Sequence, residues 1–348
     1  MAMVCVAEEA TSFRVAFGSC AREREPQPIW TEILAKDPDL FLFIGDNQYA
    51  DFWVKDGRMV MAPVEDVERI EEAYAELVRK PGFRRMRRHC PIMATWDDHD
   101  YGANDAGNEF ELREESQQAF LDFWGFGPSA PIREQEGIYN ARVFEHDGRK
   151  IQVIMLDTRY HRDPLERGRR PGARGPYKAT EDTSKTILGE AQWSWLEDQL
   201  SREADVRIVA SSIQVIADEH GYETWGNFPH ERQRLYDLID QTDASGVVFV
   251  SGDRHLMEIS RDAGDSSGVD VPYPMWDFTS SGMTQRAQPI DEPNSFRVGP
   301  VRRETNFGIV EIVWEDGDST TVIHFTGYGD QGQMLTRQSV FLEKLKEG

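Results

Sequence analysis

The stretch Leu40-Phe41-Leu42-Phe43-Ile44-Gly45-Asp46-Asn47-Gln48-Tyr49 decides how this chain is built. Five consecutive apolar residues with no polar alternation have the pattern of a strand covered on both faces, and the Gly-Asp that follows ends it in a polar loop. The pattern recurs. Phe13 to Phe17 runs into Gly18-Ser19-Cys20, Ile92 to Trp96 into Asp97-Asp98-His99-Asp100, and Val247 to Val250, through Ser251, into Gly252-Asp253-Arg254-His255. Two further runs of this kind are Ile151 to Leu156 and Ile208 to Ser211. Between them lie segments with helical spacing of apolar residues: Glu65 to Arg79, Glu109 to Trp124, Glu190 to Leu200 and His230 to Gln241. Such alternation places the chain in the α/β class. Asp147-Gly148 and Asp316-Gly317 sit between β-like runs, where a type I′ turn makes a hairpin, so part of the sheet structure is expected to be antiparallel. Phe307 to Phe325 reads as two paired strands.

The 348 residues contain no internal repeat and no linker-like break, the longest loop-like tract being His161 to Thr186. One domain over 1–348 is expected, with 1–11 as an N-terminal extension. With 39% hydrophobic and 29% charged residues, a disordered or fibrous chain is excluded. Lys and Arg number 39 against 62 Asp and Glu, a formal net charge of -23, which argues against nucleic-acid or anionic-membrane partners and supplies hard oxygen ligands for cations. No run approaches the roughly 18 apolar residues of a membrane span. Met1 to Ser12 lacks the basic and apolar regions of an export signal, a reading that fits a cytoplasmic protein and equally a mature form whose signal was trimmed. Cys5, Cys20 and Cys90 are odd in number and scattered, so no disulfide framework is expected. Oligomeric state has no signal in the sequence.

Loops beyond the carboxyl ends of strands in an α/β sheet converge on one crevice. The four polar loops named above would bring together a thiol, a phenol, several carboxylates and imidazoles, which is a set of metal ligands rather than a nucleophile triad. Taken singly, each has an ordinary explanation: Gly-Asp as a turn, Cys20 as a small buried hydrophobe. Three carboxylates around His99 are harder to explain so, because they repel one another unless cations or arginines neutralise them. Thiolate and phenolate suit a ferric ion, and carboxylates such as Asp98 and Asp253 suit Ca2+, Mg2+ or Mn2+.

With these motifs in view, together with WDDHDYGAND (Trp96 to Asp105), LDTR (Leu156 to Arg159), LGEAQWSWL (Leu188 to Leu196) and WGNFPHERQRLYDLI (Trp225 to Ile239), the chain resembles the alkaline phosphatase D family. These are the PhoD-like metallophosphatases, within the calcineurin-like and purple-acid-phosphatase-like superfamily. The resemblance implies a four-layer αββα sandwich with mixed β-sheets, hydrolysing phosphate esters with Fe3+ and Ca2+. It implies Cys20, Asp46, Tyr49 and His255 around Fe3+, with Asp46 bridging to a second site at Asp98 and Asp253. Asn104 would add a further oxygen. Carboxylates at the second site favour Ca2+ over Zn2+, and Mg2+ or Mn2+ would satisfy the same oxygens. Asp97 reads as a ligand or a supporting partner, and Asn47 and Gln214 as residues that line the site or support a ligand.

The expected chemistry is attack by a metal-held hydroxide on a phosphomonoester or phosphodiester, with the cations neutralising the phosphoryl oxygens. The chain has no Walker loop to suggest otherwise. Arg159 reads either as a bidentate clamp on the phosphate or as a salt bridge to Asp157. His99 reads as the acid for the leaving oxygen or as a support for a carboxylate ligand. From Arg159 to Lys178 seven basic residues face two acidic ones, an island that steers phosphate, acts as a lid, or is a solvated surface. Arg84, Arg85, Arg87 and Arg88 read as a solvated flank. Two alternatives stand beside this reading. One is a narrower phosphodiesterase, phospholipase-like or phosphotriesterase activity on the same metals, and the other a non-catalytic calcium-binding protein, which Cys20 and Tyr49 disfavour as calcium ligands.

Overall fold

The computed structural model describes residues 11–55, 57–264, 270–286, 292–314 and 320–346. β1 (Thr11–Gly18) and β2 (Leu40–Ile44) run parallel, and β2 pairs in parallel with β5 (Ile92–Thr95). On the other side of β1 the sheet continues antiparallel through β12 (Asn306–Trp314), β13 (Val322–Gly329) and β14 (Met334–Phe341). A second six-stranded sheet has the order β10 (Met257–Asp262), β11 (Met275–Ser280), β9 (Val247–Ser251), β8 (Val206–Ser211), β7 (Arg149–Met155) and β6 (Asn140–His146). Its central strands from β7 to β11 are parallel, and its edges are antiparallel. β3 (Phe52–Lys55) and β4 (Arg58–Met61) form a small hairpin.

The opening stretch explains the layering. Leu40, Leu42 and Ile44 join the core between the two sheets, while Phe41 and Phe43 point the other way, against Trp30 of α1 (Ile29–Leu34) and Phe83 of α3 (Pro81–His89). A strand with helices on one face and a sheet on the other has no solvated face, so every residue must be apolar. Across the sheet interface Phe17 meets Phe278 edge-on, with ring centroids 5.0 Å apart. α2 (Glu68–Arg79) and α5 (Arg113–Phe123) add Tyr74 and Phe120 to the first helical layer. The outer face of the second sheet is covered by α6 (Gly189–Leu200) and α7 (Pro229–Gln241), where Tyr236 stacks over Phe249 of β9. The architecture is the αββα sandwich with mixed sheets.

The Asp147-Gly148 hairpin forms as expected, with both residues at positive φ (47° and 75°), the type I′ requirement. Phe307 to Phe325 does pair as β12 and β13, while Asp316-Gly317 lies outside the described residues. The arginine run at 84–88 is solvated, as expected, and it is helical: it forms α3, started by Pro81 at its first turn, with Phe83 and Met86 buried on one side and the guanidiniums outside. Among the described residues no helix is long and apolar enough to cross a membrane.

Candidate metal centre

Four loops after β1, β2, β5 and β9 meet, and they meet closely because two glycines let them. A Cβ on Gly45 would lie 2.6 Å from Cβ of Asp97, and one on Gly252 would lie 2.6 Å from Oγ of Ser19. The side chains these loops carry sit on unusual backbone. Cys20, Asp46, Asp253 and His255 have φ of 60°, 50°, 67° and 55°, the left-handed region that non-glycine residues rarely adopt. Strain of this kind concentrates where a side chain must be aimed at something.

Asp46 is the centre. Its Oδ2 accepts from the Cys20 thiol at 3.3 Å and from the Tyr49 hydroxyl at 2.8 Å, and the Tyr49 oxygen lies 3.4 Å from Nε2 of His255. Oδ1 of Asp46 is buried with no hydrogen-bond partner, and so is Oδ2 of Asp97. Buried carboxylate oxygens without donors are rare and costly, and they fit a cation. Ligand atoms of Cys20, Asp46 and His255 lie within 4.8 Å of one another, as do those of Asp46, Asp98 and His99, and those of Asp97, Asp98 and Asp253. Asp46 belongs to two such groups and Asp98 to three, the third with Asp105 and Glu223, so the cluster is continuous.

Burial and the neighbouring Asp46 push the Cys20 thiol and the Tyr49 phenol well above their ordinary pKa values. Both therefore hold their protons while they donate to Asp46, and a strongly charged cation would displace those protons. Burial raises Asp46 and Asp253 as well, and neighbouring carboxylates add to the effect. Asp98 goes the other way: burial opposes ionisation, but the charges of His99 and Arg159 and the backbone N–H groups of Asp105 and His99 outweigh it, bringing its pKa down to about 2. Burial, with Arg254 beside it, lowers His255 to about 3, which keeps the imidazole neutral and able to ligate.

His99 is held by Asp51, whose Oδ1 lies 2.8 Å from its Nδ1, and its ring packs on Tyr49 with centroids 4.1 Å apart. Burial opposes its charge, yet Asp98, Asp46 and Asp51 together push its pKa well above the ordinary value. These neighbours favour its cationic form.

Several residues sit differently from expectation. Arg159 is fully buried, and its guanidinium is occupied: Nε and Nη2 donate to Asp97 Oδ1 (2.8 Å from Nε), and Nη1 pairs with Glu223 at 2.6 Å. It has no free edge for a phosphate, and its partner is not Asp157, whose Oδ1 instead accepts the Arg159 backbone N–H at 2.9 Å. Gln214 is turned away, its amide nitrogen donating to Glu258 and Thr279 at 2.8 and 2.9 Å. From the same loop it is Ser212 that reaches Asp97, at 2.6 Å. Asn47 lies beneath the ligands, its amide nitrogen on the Thr95 carbonyl at 2.8 Å. Asn104 is exposed, on the rim next to Asp105. The basic tract does not hang free: Arg174, Gly175 and Tyr177 donate backbone N–H groups to His220 and Gly221.

Asp51, Asp105 and Glu223 were not among the residues singled out from the sequence, while Asp100 was, as one of the three carboxylates around His99. Asp51 and Asp105 lie in or beside the quoted loops, so proximity was a signal for them. Glu223 had none: its carboxylate lies in a loop after β8, is fully buried between Arg159 and Arg162, and reaches within 4.8 Å of Asp98 and Asp105 ligand atoms.

A profile of the family described as PhoD-like phosphatase matches residues 15–310. A curated relative, alkaline phosphatase D of Bacillus subtilis (strain 168), is 23% identical over 266 residues, covering 69% of this chain and 45% of its own length. The chain thus spans about half the length of the curated relative it matches. Among solved structures, that of PhoD superposes with a TM-score of 0.68 at 19% identity, covering 97% of this chain and 73% of its own. A purple acid phosphatase from yellow lupin (Lupinus luteus) seeds superposes with a TM-score of 0.59 at 13% identity, over 96% of this chain and 54% of its own. At these identities the structural matches speak for the fold.

Proposed function

The chain belongs to the PhoD-like phosphatase family, and from that premise and the ligand geometry we propose that it is a metal-dependent hydrolase of phosphate esters, monoesters or diesters, working as one domain. The observation that carries this is Asp46: a buried carboxylate with one oxygen free of donors, flanked by a thiol, a phenol and an imidazole on one side and by Asp98 on the other. In this reading Cys20, Asp46, Tyr49 and His255 hold Fe3+, and Asp98 and Asp253, with Asp46 shared, hold Ca2+. The soft and phenolic donors separate from the all-carboxylate set, as the two ions require. Such a pair supplies an acidified water and neutralises the phosphoryl oxygens.

The chain's own residues do the rest. Arg159 is a positioning residue: it fixes Asp97, and with Ser212 leaves that carboxylate one oxygen to offer. His99, cationic and anchored on Asp51, balances the charge of Asp46 and Asp98 and carries a proton beside the ligands. The -23 net charge does not prevent anionic substrates from binding, because at physiological salt exposed charges beyond about 8 Å are screened.

Elemental analysis with an absorption spectrum tests the metals. Iron near one per chain, calcium, and a visible band from thiolate or phenolate on Fe3+ are expected, with hydrolysis of p-nitrophenyl phosphate or its bis-ester that a calcium chelator abolishes. Failure to take up iron on reconstitution would remove the ferric assignment, and a loaded protein that hydrolyses neither ester would remove the enzymatic one.

A further inference from the structure

A cleft of about 900 Å3 opens beside the ligand cluster, and the chemistry above leaves it without a role. Asp105 belongs to both: its carboxylate lies within 4.8 Å of ligand atoms of Asp98 and Glu223, and it lines the cleft. A phosphate seated on the ligands would therefore send an ester substituent into this space. The walls are apolar, with Val64, Phe110 and Leu165 among them. The mouth is anionic. Glu65, Glu109 and Glu111 are exposed there and have no cationic partner among the described residues. Arg167 is the one guanidinium among the residues lining the cleft, and it lies over the ring of Tyr177 at 5.7 Å, whose hydroxyl donates to Asp105 at 2.6 Å.

We infer that this cleft is the subsite for the leaving alcohol, and that it selects alcohols with an apolar body that are uncharged or cationic over anionic ones. The inference rests on the phosphohydrolase reading and adds the class of ester it serves. In the step concerned, the oxygen of water forms the new bond to phosphorus and the bond to the alcohol oxygen breaks. That oxygen keeps the electron pair and leaves protonated, so the protons of water are shared between alcohol and phosphate. An ester whose alcohol is cationic or neutral enters and seats past the acidic mouth without repulsion, whereas an anionic one is opposed by three carboxylates with low-dielectric walls behind them.

The experiment compares 4-(trimethylammonio)phenyl phosphate with 4-carboxyphenyl phosphate on the metal-loaded full chain. It uses the wild type and the triple variant Glu65→Gln/Glu109→Gln/Glu111→Gln, whose sites are exposed and outside the core. The intrinsic reactivity of each ester cancels in the ratio of the two proteins. The cation-to-anion ratio of kcat/KM should fall about tenfold in the variant at low salt and by less at high salt. A ratio unchanged within twofold, with both esters turned over, overturns the subsite and leaves the phosphohydrolase standing. If neither ester nor p-nitrophenyl phosphate is turned over, both fall together.

Discussion

At Arg159 the two roles open to a buried arginine have different consequences. A clamp on substrate contributes to binding and little to folding, whereas a guanidinium locked between Asp97 and Glu223 contributes to folding first. Arg159→Ala would leave Asp97 without a charged partner and Glu223 with Arg162 alone, both about 1% exposed, so a loss of about 3 kcal/mol of stability is expected in urea unfolding, together with loss of the second cation. Wild-type stability with only a raised KM would return Arg159 to the role of clamp. Asp46 allows a cleaner substitution, because asparagine tolerates the left-handed backbone that Asp46 adopts at φ 50°. Asp46→Asn should therefore keep the fold, with the metal-free protein melting within a few degrees of wild type, and yet lose iron and activity together. Retained iron with normal turnover is the result that would refute the assignment.

Between residue and molecule the decisive element is the short helix α4 (Asp98–Tyr101), less than two turns long and stabilised by what surrounds it. Asp97 caps it, and Asp100 in its first turn accepts the backbone N–H of Asp97 at 2.6 Å, of Asp46 at 3.2 Å and of Asn47 at 3.1 Å. One carboxylate thus sets the distance between the loop that carries Asp46 and the loop that carries Asp98. An amide cannot replace it, since its NH2 would face donors, and Asp100→Asn should cost about 2–3 kcal/mol and weaken both metals at once. Loss of only one metal, or unchanged stability in denaturant, would show the loops to be held apart by something else. How far such elements were legible depends on how local their signal is. Leu40 to Ile44 announced itself by composition, and Asp147-Gly148 by the turn it demands, but which face Phe41 takes is settled only by Trp30 and Phe83. The candidate ligand residues stood out in the sequence because each lies in a loop that follows a strand. Arg159 was found, with a salt bridge as one of its two readings but with the wrong partner, because nothing near it in sequence tells of Asp97 or Glu223, and α3 was hidden by arginines around just two apolar anchors.

At the scale of the whole molecule, the sum of buried charge predicts an inverted response to acid in the metal-free state. Burial raises Asp46 and Asp253 above the ordinary carboxylate range, Glu223 to about 7 and, in β11, Asp277 to about 6. A carboxyl whose folded pKa exceeds its unfolded value favours the folded state while neutral, so its stabilisation is full below about 4 and is lost as pH rises through the folded pKa. His255 and His220, both lowered by burial, act in the opposite sense and lose stability as pH falls below the unfolded value of about 6.5. The carboxyls outnumber them, and acid also relieves the self-repulsion of a -23 chain. With a chelator present, the melting temperature should therefore rise by about 5 °C between pH 8 and pH 5. Metal reverses the sign, because its ligands must be ionised to hold it: the increment on adding Fe3+ and Ca2+ should be large at pH 8 and vanish towards pH 5. Scanning calorimetry at both pH values, with chelator and with metal, measures all four corners. A chelated protein that is most stable at pH 8 would mean that the carboxylates around Asp46 are balanced within the chain and need no cation.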